Sequence, residues 1–266
     1  MSRPAHSGWH WRIWAAEGAG TALMMVGGLS AVCLTFGSGS PLAEALPSDS
    51  VRRLVVGALF AACVSLVAVS PLGRLSGAHL NPAVTLSFRV LGRVSGHDVG
   101  GYLAVQAIGA VVGTAVVRLL WGSTAQSVDG GATLVGTGIG LAILLEALMT
   151  AALIAVILLF VSDRRLAPWT PLAIWPAITA LVWIGAPYTG TSLNPARSVA
   201  PAVVFSQLAD LWVYVVAPTA GAVALAALWR RRDRAFHPKT AKLFHDPGYR
   251  CCLGSDLPAM PVGQGG

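Results

Sequence analysis

Six long apolar runs constrain this chain more than any other feature of its sequence. Each is long enough to cross a lipid bilayer as a helix, which takes about 20 residues. The runs cover residues 14–36, 54–72, 99–120, 138–161, 168–185 and 208–229. Because 55% of the residues are hydrophobic and only 11% are charged, the chain lacks the charged surface of a soluble domain. The sequence therefore predicts an all-α membrane protein with six transmembrane helices.

The tripeptide Asn-Pro-Ala occurs twice, and each copy precedes an apolar segment about half as long as a span. The two copies are Asn81-Pro82-Ala83 and Asn194-Pro195-Ala196. Segments 82–91 and 195–205 follow them. Asparagine is a preferred helix cap and proline suits the first helical position. Each copy therefore predicts a re-entrant half-helix that begins at membrane depth.

The same landmarks recur in both halves of the sequence, on either side of the tripeptides. They are Glu17-x-x-x-Thr21 with Glu146-x-x-x-Thr150, and Tyr102-x-x-x-Gln106-x-x-Gly109-Ala110 with Tyr214-x-x-x-Pro218-x-x-Gly221-Ala222. With three spans per half, the second half enters the membrane from the opposite side. Such inverted repeats with broken helices usually place a site near the bilayer midplane. We predict one channel domain, 1–229, with inverted halves of about 1–125 and 126–229.

The chemistry of the two tripeptides predicts a pathway for uncharged solutes. The side-chain oxygens of Asn81 and Asn194 can cap the half-helices, leaving amide N–H groups for a solute in a shared lumen. Both half-helices direct the positive ends of their dipoles to the same point, so cations and protons are repelled. Glu17 and Glu146 are candidate proton-relay acids. Their matched positions favour a structural role, accepting hydrogen bonds from the backbone of the re-entrant loops.

Basic residues indicate the orientation of the chain. If both termini are cytoplasmic, fourteen of the 18 Lys and Arg residues lie on that side, and only Arg52, Arg53, Arg118 and Arg197 lie on the other. Positive charge marks cytoplasmic segments, so we expect a multi-pass protein of the cell membrane with both termini inside. No cleavable signal peptide is apparent. The basic residues do not form a nucleic-acid patch, and residues 230–266 read as a flexible basic cytoplasmic tail with no packed core.

Residues 76–85 and 189–198, which contain the two tripeptides, resemble the paired signatures of the aquaporin (major intrinsic protein) superfamily. The resemblance extends over about residues 14–229 and includes the Glu and Tyr landmarks. It implies an aquaporin-like fold, one pore per chain, a homotetramer, and water or small neutral solutes as substrates. It also implies a selectivity filter. Counting from the tripeptides without gaps places the filter at Ala61, Val182, Thr191 and Arg197.

This filter departs from that of water-selective members, which typically carry a large aromatic residue and a histidine at the first two positions. Ala61 and Val182 predict a wider, less polar constriction, while Arg197 keeps a fixed positive donor. The pattern resembles plant nodulin-type intrinsic proteins, which carry boric acid and related hydroxylated solutes. Thr191 is larger than the usual Gly or Ala. A register error of one residue would put Phe60 in place of Ala61 and would favour a strictly water-selective channel.

Other functions fit the sequence less well. An ion-coupled secondary transporter shares inverted repeats and broken helices but needs an ion site, whereas the predicted midplane groups are amides and helix N-termini. Intact Asn81, Asn194 and Arg197 argue against a non-conducting scaffold. No catalytic pattern, cofactor motif or compact metal site is present, although His237, His245, Cys251 and Cys252 form a weak metal or metalloid candidate in the tail. For His79 a structural packing role is favoured over a role in gating the pore by protonation.

Overall fold

A computed structural model describes residues 9–246, 248–249, 253 and 256–257 of the chain. These residues form ten α-helices joined by short loops and turns. The helices are α1 (Trp11–Phe36), α2 (Pro41–Ala45), α3 (Asp49–Val69), α4 (Pro71–Ser76), α5 (Pro82–Val90), α6 (Gly96–Gln126), α7 (Ile139–Val161), α8 (Thr170–Thr189), α9 (Pro195–Val204) and α10 (Leu211–Arg230).

Six of these helices, α1, α3, α6, α7, α8 and α10, are long and apolar enough to cross a membrane. They coincide with the six apolar runs to within a few residues, which confirms the predicted fold class. The second span ends at Val69 rather than at residue 72, because Ser70 caps a new helix whose first residue is Pro71. The third span is longer than predicted and bends at Gly122, whose φ of 48° and ψ of −118° lie outside the helical region.

The contacts between helices repeat in the two halves. Helix α1 packs on α6 and α3, as α7 packs on α10 and α8. Each half-helix also contacts the last span of the other half, α5 against α10 and α9 against α6. Two matched glycines permit the closest approaches: a Cβ on Gly109 would lie 2.2 Å from the carbonyl oxygen of Gly18, and one on Gly221 would lie 2.0 Å from that of Ala147. Small residues at these crossings let the backbones touch.

The described part of the tail is not the loose extension we expected. Ala241, Leu243 and Leu253 are buried within the main apolar cluster. The tail therefore packs against the helix bundle, because its few apolar residues find partners on the helices. Cys251 and Cys252 lie outside the described residues, and the described residues contain no group of three or more His, Cys, Asp or Glu able to hold a metal ion.

Candidate functional site: a pore between the two half-helices

Both half-helices begin at the predicted asparagines. Asn81 and Asn194 have extended backbones, with φ of −158° and −153°, and each starts a helix at the following proline. The Asn81 side-chain oxygen accepts the Ala83 N–H at 2.8 Å, and the Asn194 oxygen accepts the Ala196 N–H at 3.0 Å. The capping oxygens therefore satisfy N–H groups that a helix start leaves without intrahelical partners.

The two asparagines also bind each other's loops. The Asn81 amide nitrogen donates to the Leu193 carbonyl and the Asn194 amide nitrogen donates to the Leu80 carbonyl, both at 2.8 Å. We expected both N–H groups of each amide to face the lumen. Since a primary amide has two N–H groups, this cross-link uses one and leaves the second for a solute. The cross-links hold the two half-helix starts together.

The matched glutamates anchor the two loops from behind. Glu17 accepts a hydrogen bond from the Leu80 N–H, and Glu146 accepts from Ser192 N at 2.9 Å and Leu193 N at 3.1 Å. Both side chains are fully buried.

The anchored loops have an unusual backbone conformation. Ala78, Leu80, Thr191 and Leu193 all have φ between 52° and 57°, a left-handed conformation that non-glycine residues seldom adopt. Such residues cost about 1–3 kcal/mol each and persist only where the surroundings fix them. The glutamate hydrogen bonds supply that constraint at Leu80 and Leu193. At Ala78 and Thr191 the backbone N–H instead donates to a hydroxyl oxygen, that of Ser76 or of Thr189.

The two loops and the helices α1, α3, α7 and α8 line a cavity of about 350 Å³. Both asparagines line it, as do Val182, Thr191 and Arg197 of the predicted filter. The ionisable residues among the described residues that line it are Arg53, His79 and Arg197, and none of the lining residues is acidic. The cavity therefore presents amide, guanidinium, hydroxyl and imidazole groups along a wall that is mostly apolar.

Arg197 is held firmly at the wall of this cavity. It is 8% exposed and donates to the Gly131 carbonyl oxygen at 2.7 Å. Its guanidinium carbon lies 5.7 Å from the centre of the Phe60 ring, within the range of a cation–π contact. Arg197 can therefore present its remaining N–H groups to a solute from a fixed position.

The structure places Phe60, and not Ala61, at the cavity. Ala61 is completely buried and does not line the cavity, whereas Phe60 does. We therefore propose Phe60 instead of Ala61 for this position of the filter. Arg53, Val56 and Val64 line the same cavity, so the residues on α3 follow the three- and four-residue spacing of one helical face. That spacing is the sequence signal that could have identified both Phe60 and Arg53.

His79 lies in the first loop and is almost fully buried. Its ring stacks on Phe88 with centroids 5.0 Å apart, and its Nε2 donates to the Ala241 carbonyl at 2.8 Å. The predicted packing role fits these contacts. The hydrogen bond to the tail had no signal in the sequence, because it joins residues 162 positions apart.

Comparison with known proteins decides the family. The family model described as "Major intrinsic protein" matches residues 5–229. The chain belongs to the major intrinsic protein family. This membership makes it a multi-pass membrane protein of a non-enzymatic channel family, and it confirms the resemblance on which the filter residues were identified.

Several relatives of this major intrinsic protein are plant channels. "Aquaporin NIP1-1" of Zea mays is 38% identical over 160 residues, which cover 60% of this chain and 56% of the relative. "Aquaporin NIP1-1" of Arabidopsis thaliana is 34% identical over 186 residues, covering 67% of this chain and 62% of the relative. The chain thus spans somewhat more than half the length of these plant relatives. The expected likeness to nodulin-type proteins is confirmed at the level of family relationship.

Two further matches concern glycerol channels. "Glycerol uptake facilitator protein-like 6" of Lactiplantibacillus plantarum is 37% identical over 182 residues, covering 65% of this chain and 82% of that protein. The X-ray structure of the aquaglyceroporin from Plasmodium falciparum superimposes with a TM-score of 0.67 over 84% of this chain and 96% of that one, at 22% identity. At that identity the match shows the shared fold alone.

Proposed function

We propose that this major intrinsic protein is a passive, bidirectional channel for water and small uncharged solutes such as glycerol, urea and boric acid. One observation carries the proposal: a single cavity is lined by both cap asparagines, by Arg197, and by the apolar side chains of Phe60 and Val182. A small hydroxylated molecule has polar edges that suit the amide and guanidinium donors. Its carbon skeleton suits the phenyl and valine walls.

Ions are excluded for two reasons. A cation that leaves water in an apolar cavity loses its hydration, and this cavity offers it no carboxylate in return. The guanidinium of Arg197 and the two half-helix N-termini add positive potential along the path. The absence of an acidic residue among the described lining residues also favours a channel over an ion-coupled transporter.

A strictly water-selective channel is the second candidate, and Phe60 favours it. A phenyl ring at the wall narrows the lumen more than the alanine that counting had placed there. Val182 favours solute passage, because a valine offers a passing water no hydrogen bond and leaves room for a carbon skeleton. Because of the alkyl side chain of Val182, we prefer the channel for water and small solutes to the strictly water-selective one.

Swelling of proteoliposomes tests the proposal. Vesicles containing the purified full-length chain are challenged in turn with sucrose, glycerol, urea and boric acid, with empty vesicles as the control. Fast shrinkage in sucrose followed by reswelling in the three small solutes is the expected result. Water flux alone would establish the second candidate, and uptake driven by a proton or sodium gradient would contradict both.

We also propose the placement of the protein in the cell. The excess of basic residues on one side supports cytoplasmic termini, and the apolar outer faces of the spans support insertion in the plasma or inner membrane. The family relationship supports a homotetramer with one pore per subunit. Protease protection of tagged termini in sealed vesicles tests the orientation, and cross-linking in membranes tests the tetramer.

A further inference from the structure

The tail folds back across one end of the helix bundle. Near the end of α10 the indole N–H of Trp229 donates to the Phe236 carbonyl at 2.9 Å. Further along, the Lys239 N–H donates to the Val161 carbonyl at 2.7 Å. The Leu243 N–H then donates to the Gly77 carbonyl at 2.9 Å. We call residues 236–246 the returning segment. It links the ends of α10 and α7 to the loop that carries the first Asn-Pro-Ala.

Leu243 of the returning segment lines the same cavity as the two asparagines. It is 2% exposed and belongs to the apolar cluster that contains Leu80, Ile157 and Ile174. These neighbours, which also line the cavity, are 1–2% exposed. Leu243 and these neighbours therefore form an apolar end of the cavity that is shielded from outside solvent.

The opposite end of the cavity is different. Lining residues near Arg197, including Phe36, Arg53, Val128 and Val182, are partly exposed. The lining is therefore partly exposed around Phe36, Arg53, Val128 and Val182, and buried around Leu243. The residue at the buried end, Leu243, lies outside the six spans and the two half-helices.

Backbone contacts fix the returning segment in this position. His79 donates to the Ala241 carbonyl, and the buried ammonium of Lys242 donates to the carbonyls of Arg74 and Tyr249 at 2.6 and 2.9 Å. The Arg74 carbonyl lies near the C-terminal end of α4, where the helix dipole favours a positive charge. Because the buried ammonium donates to two carbonyl oxygens, it fixes the position of the returning segment more firmly than a surface contact would.

Two partly exposed ion pairs tie the tail to the bundle. Arg74 contacts Asp246 at 3.0 Å and also lies over the ring of Phe244, 5.4 Å from its centre. Arg93 contacts Asp256 at 2.6 Å, and this hydrogen bond lowers the pKa of the Asp256 carboxyl. Both arginines belong to the first half of the channel domain. Ion pairs of this kind weaken as salt is added.

We propose that the returning segment is an autoinhibitory plug, in which Leu243 closes the pore and the Arg74–Asp246 and Arg93–Asp256 pairs act as its latch. The described conformation is the closed state. In the full-length chain the segment releases part of the time, so the pore conducts at a reduced rate, and complete release opens it throughout. The inference rests on the proposed channel function and goes beyond it, since it concerns when the pore conducts rather than what it conducts.

The test compares four forms of the chain in proteoliposomes. They are the full-length protein, a chain that ends at Phe236, the double variant Asp246→Asn with Asp256→Asn, and the control Asp49→Asn. Asp49 pairs with Arg52 near the start of α3, away from the tail, so its substitution alters a surface carboxylate without touching the latch. Water flux is measured for each form at low and high salt.

We expect the shortened chain to conduct water at least about tenfold faster than the full-length chain. The double variant should conduct about two- to five-fold faster, the range that one or two exposed ion pairs provide. High salt should raise the flux of the full-length chain and of Asp49→Asn, and should change that of the double variant little. A synthetic peptide of residues 236–257, present on both sides of the vesicle, should slow the shortened chain again.

Equal flux from the full-length chain, the shortened chain and the double variant would overturn the plug while leaving the channel intact. No flux from any form would instead count against the proposed function. If the shortened chain fails to fold, as judged by loss of helical circular dichroism, the double variant decides, since it preserves every backbone contact. Unchanged flux and unchanged salt response in the double variant then overturn the proposal.

Discussion

The two matched glutamates provide a sharp test of how the loops are held. Glu146 uses both of its oxygens: one accepts from Thr189 Oγ1 and Ser192 N, and the other accepts from Leu193 N. Glu17 uses only one, which accepts from Leu80 N and from the Gln106 side chain, while its second oxygen has no hydrogen-bond partner among the described residues. Glutamine at these two positions should therefore have unequal effects.

In Glu146→Gln, one amide orientation turns an N–H2 group toward the Leu193 N–H, and the other turns it toward Ser192. Either way a loop N–H loses a charged acceptor inside the protein, which costs about 2–4 kcal/mol. In Glu17→Gln the new N–H2 group can occupy the position of the unpartnered oxygen, and the amide oxygen still accepts from the Leu80 N–H. The loss of stability then comes only from the exchange of a charged acceptor for a neutral one, and amounts to about 1 kcal/mol or less. At roughly 2–4 °C per kcal/mol, the Glu146 variant should unfold roughly 5–15 °C lower.

Thermal unfolding in detergent, followed by loss of the monodisperse peak on size-exclusion chromatography, measures this difference. Water flux in proteoliposomes should fall in parallel, because the Leu193 carbonyl that binds Asn81 sits on the loosened loop. Glu17→Gln is the matched control within the same chain. Equal losses in the two variants, or a Glu146 variant as stable as the unmodified chain, would refute the view that these hydrogen bonds hold the loops.

Four further substitutions examine the proposed filter. Arg197→Val removes the fixed positive charge, so proton leak measured by decay of a pH gradient should rise, and an unchanged leak would count against Arg197 as a barrier. Phe60→Ala should raise glycerol flux relative to water flux. Ala61→Phe should lower the yield of folded protein, because the Ala61 side chain is completely buried. A folded Ala61→Phe variant with reduced glycerol flux, together with unchanged flux in Phe60→Ala, would restore Ala61 to the filter. Val182→His should slow glycerol by about tenfold, a barrier increase of about 1.4 kcal/mol, and spare water; persistence of glycerol flux would show that this wall does not limit solute size.

Local sequence rules predicted the half-helices well. Asn81 and Asn194 cap helices, and Pro82 and Pro195 begin them, because capping depends on residues that are neighbours in the sequence. The cross-links from each asparagine to the opposite loop were beyond such rules. They depend on how two segments 112 or more positions apart meet, which no short pattern encodes.

The cavity residue on α3 and the packing of the tail differ from the expectations for other reasons. The direction of a side chain on α3 depends on the rotation of the helix about its own axis, so a count from Asn81 through the break at Ser70 chose Ala61 instead of its neighbour Phe60. The tail is rich in charge, proline and glycine, which favours the interpretation of an unpacked extension. Its few apolar residues are buried because the bundle end supplies a matching surface at Gly77 and His79.

The exchanged hydrogen bonds at the centre make the two halves of the chain mutually dependent. Each repeat carries an amide donor whose acceptor belongs to the other repeat, so neither three-span unit can complete its own turn at membrane depth. A chain cut between the halves should yield stable product only when both fragments are made together. If such a molecule arose by duplication, its ancestor must have worked as a pair of identical three-span units, in which each unit supplied the carbonyl acceptor for the other's asparagine.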